Sequence, residues 1–165
     1  EKANDGEVSA RNGAALAFDL KLKKIVLFGG STATREYGEG TGETWILEKT
    51  RWKKIRIEQP ANIFNSNMVF HAKNKRLYRF GGWNGKSRID QTWVFRKKRW
   101  RKLDLENNPP ARNHSGMVYN SKSKRLILFG GHDGKKIYGD LWIFKRGKWY
   151  KELEHPPIKR IANGH

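Results

Sequence analysis

Three segments of the chain share one pattern: KKIVLFGG at 23–30, KRLYRFGG at 75–82 and KRLILFGG at 124–131. Each has two basic residues, four mostly apolar or aromatic residues and a pair of glycines. Short apolar runs bounded by turn residues indicate β-strands. The segments begin at 23, 75 and 124, so their spacings are 52 and 49 residues. A period of this length indicates a repeat architecture.

A second shared segment follows each pair of glycines, and a third, weaker match precedes it. The following segments are ETWILEKTRW (43–52), QTWVFRKKRW (91–100) and DLWIFKRGKW (140–149). Each contains two tryptophans seven residues apart. The preceding segments are RNGAALAFD (11–19), IFNSNMVFH (63–71) and RNHSGMVYN (112–120). One unit is therefore predicted to contain four strands, which in the first unit are Arg11–Asp19, Ile25–Phe28, Thr44–Leu47 and Trp52–Ile57.

The predicted units are small antiparallel sheets, and we expect them to stack face to face. No window keeps a 3.6-residue apolar period for ten residues, so essentially no helix is expected. A four-stranded sheet cannot bury both of its faces alone, and stacked neighbours would bury them. The six repeat-equivalent tryptophans are predicted to pack between neighbouring units. The paired glycines are expected to tolerate little substitution, because positive φ and close backbone approach favour glycine.

These motifs resemble the Kelch repeat. The likeness is greatest in the third unit, residues 109–153, whose wording is similar to the Kelch repeats of bacterial galactose-oxidase-like proteins. The resemblance implies an all-β, Kelch-type β-propeller with three four-stranded antiparallel blades. Departures from the repeat are Ile63, which aligns with Arg11 and Arg112, and Arg79, which points either into a blade interface or to solvent.

We predict one Kelch propeller segment over 1–165, with blades at 8–57, 62–105 and 111–154 and the start of a further repeat at 155–165. Such propellers usually have six or seven blades, so three would leave two apolar sheet faces open. Further blades are therefore expected, from a longer chain or from a second copy that completes a six-bladed dimeric ring. We favour the longer chain, because a fourth unit begins.

The charge is strongly basic, with 35 Lys and Arg against 16 Asp and Glu and a net charge of +19. The hairpins that join strands one to two and three to four lie on one face of a four-stranded blade. These hairpins hold a single acid, Glu48. The predicted basic face comprises Lys21, Lys23, Lys24, Lys73, Lys75, Arg76, Arg96, Lys97, Lys98, Arg99, Lys122, Lys124, Arg125, Lys145, Arg146 and Lys148.

Two interpretations of this basic face stay open. Exposed lysines on hairpins keep sheet edges soluble and unpaired. Alternatively, the face binds a polyanion, such as a nucleic acid, an anionic lipid surface or an acidic protein, through contacts that weaken steeply with salt. No exposed aromatic series interleaves with the basic hairpins, which argues against a groove that stacks the bases of a single strand.

The resemblance to Kelch domains implies that the opposite face binds the ligand, because such domains bind ligands through the loops after Gly-Gly and before each first strand. Trp83 is the one tryptophan outside the repeat pattern, and a binding role and simple loop packing are equally compatible with it. Arg11 and Arg112 on this face either bind an acidic group of a ligand or form a structural hydrogen bond between blades. The candidate residues are Arg11, Ser31, Trp83, Arg112, His114 and His132.

The sequence predicts a non-catalytic binding module or scaffold for a protein, peptide or glycan. There is no cysteine, so disulfides, thiolate metal sites and the cysteine-linked copper site of galactose oxidase are excluded. No catalytic residue, metal or cofactor is predicted, although a galactose-oxidase-superfamily enzyme without that copper site is a distant alternative. No signal peptide or membrane-length apolar run is visible, so we expect a soluble protein of unassigned compartment.

Overall fold

A computed structural model of the chain describes residues 7–32, 40–57 and 61–154, with the backbone alone for residues 153–154. The described residues form twelve strands and no helix. The strands are β1 Ala15–Asp19, β2 Lys24–Phe28, β3 Thr44–Glu48, β4 Arg51–Lys54, β5 Asn67–His71, β6 Arg76–Phe80, β7 Thr92–Arg96, β8 Arg99–Lys102, β9 Gly116–Asn120, β10 Arg125–Phe129, β11 Asp140–Lys145 and β12 Lys148–Glu154.

The strands form three separate four-stranded antiparallel sheets in the orders β1-β2-β3-β4, β5-β6-β7-β8 and β9-β10-β11-β12. These sheets, called blades 1, 2 and 3, lie within the three predicted ranges. Among the first strands, β1 contacts β5 at one junction and β5 contacts β9 at the other. In blade 1 the first strand begins at Ala15 rather than Arg11, because Asn12 instead bridges the loop residue Ser31. Residues 155–165, predicted to begin a further repeat, lie outside the described residues.

Apolar side chains fill both junctions between blades. The core between blades 1 and 2 includes Val26, Phe28 and Ile46 on one side and Leu77 and Phe95 on the other. An equivalent core between blades 2 and 3 contains the residues Tyr78, Phe80, Val94, Leu126, Leu128, Trp142, Phe144 and Trp149. At about 25 cal/mol per Å² of buried apolar area, these shared cores are the main source of stability for sheets that cannot fold singly.

The second tryptophan of a repeat unites two blades, as the sequence predicts. Trp100 of blade 2 packs edge-on against Phe28 of blade 1 and donates an indole hydrogen bond of 2.9 Å to the Thr44 hydroxyl. Trp149 of blade 3 repeats this arrangement on blade 2, with a bond of 2.9 Å to the Thr92 hydroxyl. The threonine that accepts this bond pairs with a phenylalanine in each of the first two blades, Thr44 with Phe28 and Thr92 with Phe80. In blade 3 the equivalent phenylalanine, Phe129, pairs with Leu141 instead.

In blades 1 and 2, the first glycine of the pair lies where neighbouring blades meet. Gly29, Gly81 and Gly130 have φ angles of +69°, +67° and +71°. A Cβ on Gly29 would lie 2.2 Å from the carbonyl oxygen of Ile63, and one on Gly81 would lie 2.5 Å from that of Arg112. At Gly130 the nearest atom would be 3.6 Å away, because no described blade follows. Close approach therefore restricts the first two positions more than the third.

We expect Gly81→Ala to lower the free energy of unfolding by about 3 kcal/mol, through left-handed strain and the clash with Arg112. Gly130→Ala is the matched control, because it carries the same strain without the clash, and about 1 kcal/mol is expected. Urea unfolding followed by tryptophan fluorescence measures both. Equal losses would show that blade contact does not restrict Gly81.

Arg79 points into the junction between blades 1 and 2, which decides between the two orientations that the sequence leaves open. Its side chain is fully buried, and its guanidinium lies 4.7 Å from the Phe28 ring and within 6 Å of the Trp93 and Trp100 rings. Nη1 donates to the carbonyl of Gly81, whereas Nε and Nη2 have no hydrogen-bond partner among the described residues. Burial lowers the pKa of this guanidinium to about 9.

The two outer sheet faces of the stack remain open and apolar. On blade 1, Leu16 and Phe18 are exposed, and on blade 3, Val118 and Phe129 are exposed. Their repeat equivalents at the two internal junctions pack into the cores. Exposed apolar faces of this kind fit an incomplete propeller.

Candidate functional site

The loop face contains the residues that directly follow the paired glycines. Each of them forms a backbone bridge to a residue before the first strand of its blade and a second bridge to a later loop residue. The three sets are Asn12–Ser31–Gly40, Phe64–Trp83–Arg88 and Asn113–His132–Ile137. The backbone thus positions the predicted residues Ser31, Trp83 and His132 equivalently. Ser31 is buried, whereas Trp83 and His132 are half-buried and reach the surface.

A polar and aromatic cluster lies at the junction of blades 2 and 3 on this face. The guanidinium of Arg88 stacks 4.6 Å from the centre of the Trp83 ring, an arrangement that favours cation–π attraction. Arg88 Nε lies 3.5 Å from the side-chain oxygen of Asn113 in the next blade. Asn113 in turn bridges His132 through its backbone. We call Trp83, Arg88, Asn113, His114 and His132 the loop-face cluster.

The two histidines of the cluster are hydrogen-bonded to each other. Their rings are parallel within 4°, and His114 Nδ1 lies 3.1 Å from His132 Nε2. The backbone N–H of Gly134 donates to His132 Nδ1, so the proton of a neutral His132 is on Nε2 and is donated to His114. A metal at Nε2 would require a proton on Nδ1, facing the Gly134 donor. The pair therefore fits a hydrogen-bonding surface and not a metal site.

The predicted arginines are buried structural groups. Arg112 is fully buried and forms two hydrogen bonds of 2.6 and 3.0 Å with the Asp140 carboxylate. Arg11 binds Glu43 at 2.9 Å and also donates to the carbonyl of Gly29. These bonds lie within one blade and not between blades. Both arginines hold the ends of the Gly-Gly strands in place beneath the loops, and Arg112 has no exposed surface for a ligand.

The acidic residue nearest the histidine pair, Asp133, is a turn residue. It accepts hydrogen bonds from the backbone N–H groups of Lys136 and Lys135 and from the Tyr138 hydroxyl, and these hold the pKa of its carboxyl far below the usual range. Gly134 follows it with a φ of +95°. The Asp133 carboxylate thus remains ionised, and its oxygens accept hydrogen bonds from within its own loop.

The hairpin face, formed by the six predicted basic hairpins, lies at the other end of the blades. Every residue of the predicted basic set is exposed or half-buried. The one acid, Glu48, is paired with Lys24, and this hydrogen bond lowers the pKa of its carboxyl. Lysine occupies the left-handed region at Lys23, Lys75 and Lys124, with φ of 55°, 53° and 57°.

Sequence reasoning missed Arg88 and Asn113 in the loop-face cluster. The turn signals Asn84-Gly85 and Asp133-Gly134 were available, because each lies directly after a candidate residue. A short hairpin at Asn84-Gly85 brings Arg88 opposite Trp83. The position of Asn113 depends on packing between blades, which local sequence does not specify.

Within the described ranges, His, Asp and Glu side chains nowhere gather in a group of three or more that could hold a metal ion. None of the described residues belongs to a helix of the length and apolarity that crossing a bilayer requires.

Three stacked four-stranded antiparallel blades with loops at one end and hairpins at the other define a segment of a β-propeller. A family model described as the KLHDC2/KLHL20/DRC7 Kelch-repeats domain matches residues 2–159, and the chain belongs to this Kelch-repeat family. The solved structure of YjhT is similar at 16% identity with a TM-score of 0.65, which shows the fold alone. The match covers 88% of this chain and 46% of YjhT, so the chain spans less than half of that protein. No curated protein sequence matches the chain.

Proposed function

We propose that the chain is a non-catalytic binding module that recognises a protein, peptide or glycan through the loop face. The observation that supports this most is Arg88, which is half-buried against Trp83 and forms no ion pair with the described residues. A half-buried guanidinium without a carboxylate offers a charge-assisted contact to a ligand. The Trp83 ring adds a large apolar surface of the kind that dominates binding energy at interfaces.

The residues of the loop-face cluster and the arginines beneath it have different roles in binding. Arg88 donates hydrogen bonds, the histidine pair forms the polar surface in the same cluster, and Trp83 supplies contact area. Arg112 and Arg11 are positioning residues, because their ion pairs hold the strands that carry the loops. Ser31 is buried and takes part through the backbone bridge of its loop.

Trp83→Ala tests this proposal. Screening the chain against peptide and glycan arrays identifies a ligand, and the variant is expected to bind that ligand about tenfold or more weakly, because an aromatic contact is lost. Tyr150→Ala is the control, since Tyr150 is also an exposed aromatic but lies away from the loop face. A ligand bound equally well by wild type, Trp83→Ala and Arg88→Ala would contradict the assignment.

A second candidate function is polyanion binding through the hairpin face. The observation that favours it is lysine at three left-handed positions, where Asn or Gly is accommodated more easily. Each such lysine costs about 1 kcal/mol of backbone strain. A role for the positive charge would explain why lysine stands there in every blade.

Replacing Lys23, Lys75 and Lys124 together by asparagine separates the two effects. We expect the stability to stay equal or rise, because asparagine tolerates the left-handed region, while affinity for heparin or single-stranded DNA falls about tenfold or more. The slope of log affinity against log salt should also fall by about 2–3. Unchanged affinity would show that these lysines serve solubility alone.

We also propose that further blades cover the two open sheet faces, from a longer chain or from a second copy. Native mass spectrometry of the complex isolated from its source distinguishes them. A multiple of 19.2 kDa indicates copies of this chain, whereas a larger polypeptide indicates additional blades in the same protein.

A further inference from the structure

A cavity of about 480 Å³ lies on the hairpin face at the junction of blades 2 and 3. It is bounded by the first hairpin of blade 2 and by both hairpins of blade 3. Among the described residues that line it, five are basic, namely Lys73, Lys124, Arg125, Lys145 and Arg146, and none is Asp or Glu. Its volume lies within the range of about 300–1,000 Å³ that is usual for small-molecule sites.

The walls of this cavity are held by hydrogen bonds and ring contacts. The backbone N–H of Lys73 donates to the Tyr119 hydroxyl of blade 3 at 3.3 Å, which ties the blade 2 hairpin to the next blade. Asn74 donates from its backbone to His71 Nδ1 and from its side chain to the Tyr78 hydroxyl. The His71 ring packs 4.7 Å from the Tyr119 ring. The hairpin therefore has a fixed position before any ligand arrives.

His71 provides a neutral donor in the wall. Because Nδ1 accepts from the backbone N–H of Asn74, the proton of the neutral ring lies on Nε2. Burial lowers the pKa of this imidazole, so it is neutral at pH 7. The polar groups at this cavity are thus mostly donors, which suits a ligand made of acceptor oxygens.

A second cavity of the hairpin face differs from the first in the charge and polarity of its lining. The groove between blades 1 and 2 has a volume of about 940 Å³ and is also lined by lysines and arginines. It contains the carboxylate of Glu48 and the apolar side chains of Ile46, Trp52 and Ile55. It is larger, less uniformly positive and partly apolar. The cavity between blades 2 and 3 is the one whose chemistry selects a compact, highly charged anion.

We propose that the cavity between blades 2 and 3 binds a compact anion that carries several phosphate groups. This inference rests on the second candidate function, polyanion binding by the hairpin face, and it assigns that function to a specific binding site. Arg125 and Arg146 provide planar donors that fit phosphate oxygens, and the lysines provide compact charges. Five cations from three hairpins converge here, and among the described residues only Lys145 has an ion-pair partner, Glu152, at a long 3.9 Å. Their mutual repulsion is relieved when the anion binds.

Titration of the full chain with inorganic triphosphate by calorimetry at 0.15 M salt tests the proposal. The cavity variant combines Lys73→Glu with Arg146→Glu. The matched control combines Lys97→Glu with Arg99→Glu, which changes the net charge equally on exposed hairpin residues outside this cavity. Each pair contains one residue with a φ of 51°. Identical far-UV circular dichroism establishes that both variants are folded.

We expect the cavity variant to lose about tenfold or more in affinity, and the control less than about threefold. Equal losses would show that only the overall charge acts, and absence of wild-type binding at millimolar triphosphate would also overturn the proposal. Phosphatidylcholine vesicles with about 5% phosphatidylinositol 4,5-bisphosphate form the second arm. Vesicle binding with the same pattern of variants assigns the phosphates to a lipid headgroup, and triphosphate binding alone assigns them to a soluble anion.

Heparin chromatography of the wild type distinguishes failure of this proposal from failure of the function beneath it. Salt-sensitive retention on heparin without triphosphate binding would refute the cavity while the hairpin face remains a polyanion surface. Loss of both would refute the second candidate function as well.

Discussion

Arg112→Met is expected to lower the free energy of unfolding by about 3–5 kcal/mol, the usual cost of removing one partner of a buried ion pair. The side chain is fully buried and binds both carboxylate oxygens of Asp140, which is itself only 7% exposed. Methionine fills a similar volume but provides no charge. The Asp140 carboxylate would then remain in the interior without its counter-ion.

Arg11→Met is the matched control for this result, because blade 1 has an equivalent arginine–carboxylate pair that is more exposed to solvent. Its partner Glu43 has a side chain that is 26% exposed and also pairs with Lys54. The expected loss is therefore less than half as large. Urea unfolding monitored by tryptophan fluorescence measures both, and a loss at Arg11 equal to that at Arg112 would contradict the role of burial.

The advantage of wild type over Arg112→Met should also depend on pH. Burial alone raises the pKa of Asp140, but the hydrogen bonds from Arg112 and Trp142 outweigh it and leave the pKa below its usual value. A lowered carboxyl pKa stabilises the fold above the unfolded pKa of about 4 and ceases to do so as the pH falls. In the variant, burial without Arg112 raises the pKa of Asp140, so the difference between the two proteins is expected to be largest at neutral pH, to begin to shrink above pH 4 as the variant carboxyl is protonated, and to shrink further at lower pH.

Arg79→Met is expected to raise the free energy of unfolding by about 1–4 kcal/mol. Within the part of the chain that the structure describes, the buried guanidinium has no counter-ion, and its one hydrogen bond, to Gly81, leaves two nitrogens without a partner. The surrounding rings of Phe28, Trp93 and Trp100 return only part of the desolvation cost, at about 0.5–2 kcal/mol for each favourable contact. Methionine preserves volume and packs against the same rings.

Leu128→Arg is the converse experiment, since Leu128 occupies the repeat-equivalent position in blade 3, where Phe80, Trp142 and Trp149 correspond to the three rings around Arg79. It should destabilise the chain by several kcal/mol, because it buries a charge in the same kind of site. Thermal unfolding of both variants gives the comparison. A destabilised Arg79→Met variant would mean that the aromatic rings outweigh the desolvation of the guanidinium.

The blades could be predicted from sequence because their determinants are local and occur three times. The runs KKIVLF, KRLYRF and KRLILF, the paired glycines and the spaced tryptophans each specify a strand or a turn by themselves. Three aligned copies also distinguish the six repeat-equivalent tryptophans from Trp83, although Trp52 of blade 1 is half-buried and lines the groove between blades 1 and 2. The Trp100 and Trp149 side chains do pack between blades.

Features that depend on contact between blades were harder to predict. Both faces of a stacked sheet are buried, so the alternation of side chains did not show which way Arg79 points. The position of Arg112 at the start of a first strand indicates the ligand face, but its carboxylate partner, Asp140, comes 28 residues later in the chain. The cavity between blades 2 and 3 exists because hairpins of two different repeats approach each other, and no single repeat encodes that distance.

The hydrogen bonds from Trp100 to Thr44 and from Trp149 to Thr92 have a consequence for synthesis on the ribosome. They join residues 56 and 57 positions apart, so the fourth strand of one repeat completes the interface of the repeat before it. A newly made blade must therefore wait for about one further repeat to emerge before its exposed face is covered. At about 5–20 residues per second this interval lasts roughly 3–10 seconds. Maturation then proceeds from the amino terminus, with one unprotected sheet face at the growing end at each stage.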